Sequence, residues 1–258
     1  MKCRMTHRIS IRERLRRTWP LYVVLLPGLV YLLVFHYYPM YGLQIAFKDF
    51  KFGHGITGSP WVGFKHFARF FQSYQFTRVL TNTVILSGYS ILAGFPMRIM
   101  LSLSLHVVRS NMYKKIVQTA TYLPHFISTV VMVGILMRFF NPILGVFSQL
   151  IQALGGTERD VMGLPAAFPH LYVWSGIWQH AGWGTIIYLA TLASVDLQLH
   201  EAAIIDGASR MQRVVHIDIP AIVPTAVIIL IMDMGSILSV GFEKVLLMQN
   251  ALNIAASE

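Results

Sequence analysis

The segment from His200 to Pro220 places charged side chains between two long apolar runs. The residues in it that could contact a partner are Glu201, Ala202, Ala203, Asp206, Gly207, Arg210, Arg213, Ile217 and Pro220. Elsewhere the chain has no phosphate-binding GxxxxGK[ST] loop and no nucleophile elbow, and its ten histidines show no HExxH-type spacing. The segment therefore suits binding rather than catalysis, and no metal site is expected.

Local signals predict a helix–turn–helix in this segment. Asp196 can cap a helix that runs to about Ile205, and Gly207 supplies a break where positive φ is inexpensive. A second helix over 208–217 would carry apolar residues on one face and arginines on another, and Pro220 would mark entry to the next apolar run. Such a hairpin could dock a soluble partner or lie on a membrane surface, and periodicity favours neither.

Two ionisable residues, Arg98 and Asp233, lie within apolar runs. A charged group inside a membrane is expensive, so it usually faces a partner or a wet cavity. We hypothesise that they form a buried ion pair. The alternative is that Arg98 extends to the membrane interface while Asp233 faces a cavity.

Aromatic and polar residues in "HLYVWSGIWQHAGWG" could bind a sugar. Trp174 and Trp178 share one helical face, which offers rings for stacking, and Gln179 lies on an adjacent face. Tyr89 and Asn82 are weaker candidates. The alternative is an aromatic belt at the membrane interface.

Composition and hydropathy predict an all-α polytopic membrane protein. Of the 258 residues, 55% are hydrophobic and 12% are charged, about half the charged share of a soluble domain. Five apolar runs are long enough to span a bilayer, at about 19–39, 79–105, 117–139, 168–193 and 221–241. The domain organisation is thus a basic tail, 1–18, and a transmembrane domain, 19–258, with a polar loop at 194–220.

Charge distribution predicts the orientation. The tail carries seven Lys and Arg residues against Glu13, which places the N-terminus in the cytoplasm. Five alternating spans then put the loop 194–220 inside. The net charge of +10 needs no nucleic acid partner.

The spacing of the polar loop resembles a known motif. Glu201-Ala202-Ala203, three residues, Gly207, nine residues and then Ile217-x-Ile219-Pro220 resemble the EAA loop of binding-protein-dependent ABC importer permeases. The family pattern has Leu where this chain has Ile219. The resemblance implies a coupling helix that docks into a separate ATPase subunit, with Glu201 making a polar contact and the alanines allowing close approach.

Further segments resemble the maltose-type permeases that import oligosaccharides and polysaccharide fragments. They are "YYPMYGLQIAFKDF", "WVGFKHFARFF", "YLPHFIS" and "GFEKVLLM". The resemblance implies a multi-pass bacterial inner-membrane permease that is not an enzyme and binds no cofactor itself. ATP and Mg would bind the partner ATPase. Further partners would be a second permease subunit, an extracytoplasmic sugar-binding protein and the lipid bilayer.

The family has a type I importer core of six spans, and the sequence predicts five. The expectation is that the last helix is absent here, which leaves transport by this chain alone in question. Three alternatives remain: an ABC permease for a non-sugar substrate such as a peptide, an ion-driven secondary transporter, and a membrane scaffold or sensor that docks a soluble partner. The EAA-like loop counts against the secondary transporter.

Overall fold

The computed structural model describes residues 11–155, 160–239 and 241–257, with side chains from residue 18 onward. The predicted basic tail lies largely outside these residues. No β-strand occurs in the described ranges, where one isolated bridge joins Lys48 to Trp61. The α-helices there are α1 (Ile11–Leu32), α2 (Tyr38–Met40), α3 (Gly55–Gly58), α4 (Lys65–Phe71), α5 (Tyr74–Val107), α6 (Asn111–Tyr122), α7 (Thr129–Phe139), α8 (Val146–Ala153), α9 (Phe168–Ala193), α10 (Leu197–Ile205), α11 (Arg210–Arg213), α12 (Ile219–Gly235), α13 (Phe242–Met248) and α14 (Ile254–Ser257).

The chain divides into two compact units, Met1–Phe76 and Thr77–Glu258. In the first, α1, a π-turn, α2 and a 3₁₀ segment form a continuous helical stretch over Thr18–Phe47. Its large apolar side chains are exposed, as expected of a helix that faces lipid. The following segment packs around Phe47, whose ring stacks on Trp61 with centroids 5.5 Å apart and also contacts Phe67.

The second unit is built around α9, which packs against α6 and α12. One core cluster centres on Phe168 and Met248, and another on Tyr188 and Ile222. Close approach of α9 to α6 depends on Gly182, because a Cβ there would collide with the backbone carbonyl of Thr121. Tight backbone contact through small residues is typical of helix packing in membranes.

The helix expected over 117–139 is broken. Asn111–Phe126 and Thr129–Phe139 are inclined at 102°. Pro124 lacks an N–H for a helical hydrogen bond, and the Ser128 hydroxyl accepts a hydrogen bond from Val131 N (3.4 Å), which starts a new helix.

In the described part of the chain, three helices are long and apolar enough to cross a membrane: Thr18–Phe47, Tyr74–Val107 and Arg210–Gly235. The bent pair makes a fourth candidate. The predicted span 168–193 exists as the continuous helix α9, but its composition is less apolar because it carries polar residues. Several of these point inward, and Ser175, Gln179 and Thr185 are buried.

The sequence predicted that the second helix of the polar loop ends before Pro220, but in the structure it continues past this residue. α11 begins after Ser209, which forms a capping box with Gln212. It continues through a π-turn, Val214–Asp218, into α12. Pro220 has no N–H to donate to an ordinary α-helical hydrogen bond. The wider π-turn directly before it accommodates this missing donor, and the helix continues past the proline.

Candidate functional site

Helix α10 presents an exposed surface that combines apolar and charged side chains. Asp196 Oδ1 accepts a hydrogen bond from Gln198 N (2.9 Å) at its start, as the sequence predicted. Gly207 follows its end with φ +78°, a conformation that side chains with a Cβ rarely adopt. Between these two points Leu197 is 73% exposed and Ile205 86% exposed. Large apolar side chains this exposed in a polar loop suit a docking surface.

The residues expected to contact a partner lie on or beside α10. Those with exposed side chains are Glu201, Ala202, Asp206, Arg210 and Pro220, and Gly207 is exposed as well. Ala203, Arg213 and Ile217 are half-buried, so they support the hairpin from its inner side. We name the exposed part of α10 together with Gly207 and Arg210 the α10 surface.

The structure brings Arg98 of α5 and Asp233 of α12 together. Arg98 Nη2 lies 2.5 Å from Asp233 Oδ2, and Arg98 Nε donates a second hydrogen bond to the Gly94 carbonyl (3.3 Å). A charge-assisted hydrogen bond of this kind is about twice as strong as a neutral one. Gly184 of α9 leaves the space for this, since a Cβ there would overlap the Arg98 side chain.

A cavity of about 520 Å³ opens between α5, α9 and α13, which is large enough for a small saccharide. We call it the central cavity. Its lining residues are Ser90, Gly94, Arg98, Thr129, Tyr172, Val173, Gly176, Ile177, Gln179, His180, Ala181, Trp183, Gly184, Gly241, Glu243 and Lys244.

The buried cation of the central cavity is Lys244. Its Nζ donates to the Tyr172 carbonyl (2.8 Å) and lies 4.7 Å from the centre of the Tyr172 ring. Burial lowers the pKa of Lys244 to about 8, because desolvation disfavours the charged amine. The backbone N–H of Gly241 donates to the Tyr172 hydroxyl (3.2 Å), which ties α13 to α9.

An aromatic and imidazole cluster lies at another wall of the central cavity. The Trp183 ring stacks on His125 with centroids 4.5 Å apart and planes 4° apart. His125 Nδ1 lies 3.1 Å from His180 Nδ1. One flat indole face is already covered by His125, so a ligand ring would have to use the remaining surface of Trp183.

The sugar-binding candidates from the sequence are distributed over several places. Gln179 lines the central cavity, but its Nε2 already donates to the Ile127 carbonyl (2.7 Å). Trp174 and Trp178 are about half exposed and are not part of the cavity lining. Trp174 Nε1 donates to the hydroxyl of Tyr89 (2.8 Å), and Asn82 Nδ2 donates to the Ala255 carbonyl (3.2 Å).

Sequence reasoning did not nominate Tyr172, Trp183, His180 or Lys244. Trp183 lies in the same motif as Trp174 and Trp178, so helical register relative to Gln179 could have identified it. Lys244 lies in the segment "GFEKVLLM", where a basic residue in an apolar context was the available signal.

One group in the described part of the chain has side-chain geometry suited to a metal ion. The ligand atoms of His106, His200 and Asp218 all lie within 4.8 Å of one another. The three residues come from α5, α10 and the π-turn before α12.

Comparison with known proteins gives consistent matches. Residues 90–240 match the family described as "Binding-protein-dependent transport system inner membrane component". The polygalacturonan/rhamnogalacturonan transport system permease protein YteP of Bacillus subtilis (strain 168) is 43% identical over 238 residues, which cover 92% of this chain and 74% of YteP.

Two solved structures are also similar. The crystal structure of a bacterial ABC transporter involved in the import of the acidic polysaccharide alginate contains a chain that is 41% identical, with a TM-score of 0.88, over 96% of this chain and 83% of that one. In the bacterial alginate ABC transporter in complex with alginate pentasaccharide-bound periplasmic protein, the values are 40% and 0.86, over 96% and 82%.

Proposed function

The chain belongs to the family of binding-protein-dependent transport system inner membrane components, and on this premise we propose that it conducts an oligosaccharide or polysaccharide fragment into the cell through its central cavity. It is a permease subunit of an ABC importer in the bacterial inner membrane, a transporter component and not an enzyme. Its partners are a separate ATPase, a second permease subunit and an extracytoplasmic binding protein. We expect ATP and Mg to bind the separate ATPase chain.

The observation that carries ATP-driven import is the α10 surface. It presents Glu201 and Ala202 to solvent beside strongly exposed apolar side chains, within a polar loop between α9 and the Arg210–Gly235 helix. ATP binding closes the ATPase dimer, the docked α10 helices move together, and the attached spans change from inward-facing to outward-facing. The residues proposed to mediate this coupling are those of the EAA-like loop described above.

The experiment that tests the coupling is substrate-stimulated ATP hydrolysis by the complex in proteoliposomes. Glu201→Arg replaces the acid that would contact the ATPase with a cation. We therefore expect stimulated hydrolysis to fall by about 30-fold, the effect of losing an interfacial charge contact worth about 2 kcal/mol. Ser194→Arg, at the exposed end of α9 and outside α10, is the matched control and should retain activity. If Glu201→Arg retains as much stimulated hydrolysis as the active control Ser194→Arg, α10 is excluded as the coupling element.

We further propose five spans with a cytoplasmic N-terminus. α9 would act as the fifth span, in addition to the three apolar helices and the bent pair, since its polar residues Ser175, Gln179 and Thr185 are buried rather than exposed to lipid. Because Cys3 is the only cysteine, a Cys3→Ser chain accepts single reporters. Cysteines at Ser110 and Ser194 should be labelled from the cytoplasmic side, and a cysteine at Ser73 from the opposite side. Labelling of Ser73 and Ser194 positions from the same side would contradict this topology.

The cavity favours an acidic sugar chain. Lys244 has three N–H donors, and the Tyr172 carbonyl accepts from it, so two remain for a carboxylate. Asp233 neutralises Arg98, the second cation of the lining, and Glu243 adds a negative charge, so the preference for an acidic substrate depends on Lys244. We expect uronate oligosaccharides to stimulate ATP hydrolysis more than neutral ones of equal length when each is delivered by the same binding protein. Lys244→Met should reduce that preference, and an unchanged preference would remove Lys244 from the substrate path.

A further inference from the structure

The carboxylate of Asp218 is buried at a junction of three elements. The residue is 2% exposed and lies in the π-turn that leads into α12. Its Oδ1 lies 3.3 Å from His200 Nε2 of α10 and 3.6 Å from His106 Nε2 at the end of α5. The imidazole rings are partly accessible to solvent, with 18% and 26% of their side-chain surfaces exposed, so an ion can reach them.

These contacts lack hydrogen-bond geometry. Asp218 Oδ1 accepts no hydrogen bond from any described residue, although it is inaccessible to solvent. A buried polar atom left without a partner is costly, and such atoms are rare in folded proteins. The carboxylate oxygen, which accepts no hydrogen bond from the two imidazoles beside it, is therefore available to bind a ligand together with them.

The spacing of the three atoms matches metal coordination better than hydrogen bonding. In a tetrahedral zinc site with metal–ligand distances of about 2.0–2.1 Å, neighbouring ligand atoms lie about 3.3 Å apart. Two of the separations here are 3.3 and 3.6 Å, and the third is at most 4.8 Å, within reach of a modest rotation of one ring. Two imidazoles and one carboxylate are a common ligand set for such ions.

We propose that His106, His200 and Asp218 bind a divalent transition-metal ion of the Zn²⁺ class, with one coordination position open to water. The ion would connect the end of α5, the helix α10 and the entry to α12. Since His200 belongs to α10, a bound ion would fix the α10 surface relative to the two neighbouring helices α5 and α12.

The surrounding charge opposes tight binding. Arg109, Arg210 and Arg213 line the same cavity of about 200 Å³. The single Asp218 carboxylate offsets only part of this positive charge. The site therefore suits an ion that bonds strongly to imidazole, and it disfavours Mg²⁺ and Ca²⁺, which require several oxygen ligands.

Metal binding by the purified complex tests the proposal. The complex would carry a purification tag without histidine, and Zn²⁺ affinity would be measured by competition with a chromophoric chelator. Co²⁺ would serve as the spectroscopic probe, because a tetrahedral site gives intense visible d–d absorption that surface histidines in octahedral coordination do not. We expect Zn²⁺ binding and a tetrahedral Co²⁺ spectrum with the wild type.

His200→Gln and Asp218→Asn should each weaken Zn²⁺ binding by more than about 10-fold, because even partners that merely orient a metal ligand are worth about 10–100-fold in affinity. His216→Gln is the matched control, since this exposed histidine on the same segment bonds the Gln212 carbonyl (2.9 Å) and lies outside the triad. If Asp218→Asn fails to fold, the partly exposed His200→Gln gives the same test. Equal binding by the wild type and His200→Gln, or no metal uptake by a monodisperse wild-type complex, would overturn the proposal.

Discussion

The α10 surface and the central cavity distribute polarity in opposite ways. The α10 surface exposes large apolar side chains such as Ile205 to water, whereas the cavity buries a cation, Lys244, against an aromatic ring. The exposed apolar area contributes favourable free energy only when a partner protein covers it and removes it from water. The buried amine is desolvated within the chain itself, and its hydrogen bond and ring contact compensate in part. Substitutions in the cavity should therefore change the stability of this chain, and substitutions on the α10 surface should change assembly.

The largest stability effect should come from splitting the Arg98–Asp233 pair. Arg98→Leu or Asp233→Leu leaves one charge uncompensated among packed helices, and we expect a loss of about 3 kcal/mol. The double variant removes both charges and should recover most of that loss. Folded yield and thermal stability in detergent provide the measurement. If the two single losses simply add in the double variant, the charges do not interact.

The next effect is a pH dependence due to Lys244. Its pKa is about 8 in the folded chain against an ordinary value of 10.5, so unfolding takes up a proton between these pH values. The free energy of unfolding should therefore rise with pH from about 8 to 10.5, by at most about 3 kcal/mol. Below pH 8 the full penalty of the buried charge is present.

The measurement for Lys244 is the melting temperature of the wild type and Lys244→Met across pH 7 to 10. The difference between the two should narrow as the pH rises, because only the wild type loses this charge. Parallel profiles would show that the amine is solvated in the folded chain.

A smaller loss should follow from Gly182→Ala. The added methyl group collides with the Thr121 carbonyl, so α9 and α6 must separate, at about 1–3 kcal/mol. Gly134→Ala is the matched control, because a Cβ at Gly134 meets nothing within 4 Å. Comparable melting temperatures for the two variants would indicate that α6 and α9 are not closely packed.

The smallest stability effect should come from the α10 surface. Leu197→Ser and Ile205→Ser change exposed side chains, so the melting temperature of the isolated chain should correspond to a change within about 0.5 kcal/mol. Co-purification of the ATPase should nevertheless decrease. A clear decrease in melting temperature with unchanged co-purification of the ATPase would show that these α10 side chains stabilise the chain itself rather than its assembly.

The accuracy of the sequence predictions follows the range of the interactions involved. The helix from Asp196 to about Ile205 and the turn at Gly207 depend on capping and backbone conformation, which are local, and both are present. Arg98 and Asp233 could be paired because charges are scarce in apolar runs. The position of Lys244 beside Tyr172 depends on how α13 packs against α9, a contact between distant parts of the chain that no local pattern encodes.

Two local features that the sequence did not predict have a related cause. The break at Ile127–Ser128 lies inside an apolar run that reads as one span, since hydropathy does not register where a helix changes direction. Conversely, Pro220 suggested a helix boundary, but the preceding π-turn accommodates it. In both cases the hydrogen-bond pattern of the backbone, rather than the polarity of side chains, decided the local structure.

The break between α6 and α7 also bears on how the chain enters the bilayer. A bent helix pair leaves backbone carbonyls without intrahelical partners, and in hydrocarbon each such group is unfavourable by several kcal/mol. One of them, the Ile127 carbonyl, accepts its hydrogen bond from Gln179 of α9, which is synthesised about 50 residues later. The bent pair should therefore remain near the translocon or at the interface until α9 emerges, so that the two insert together.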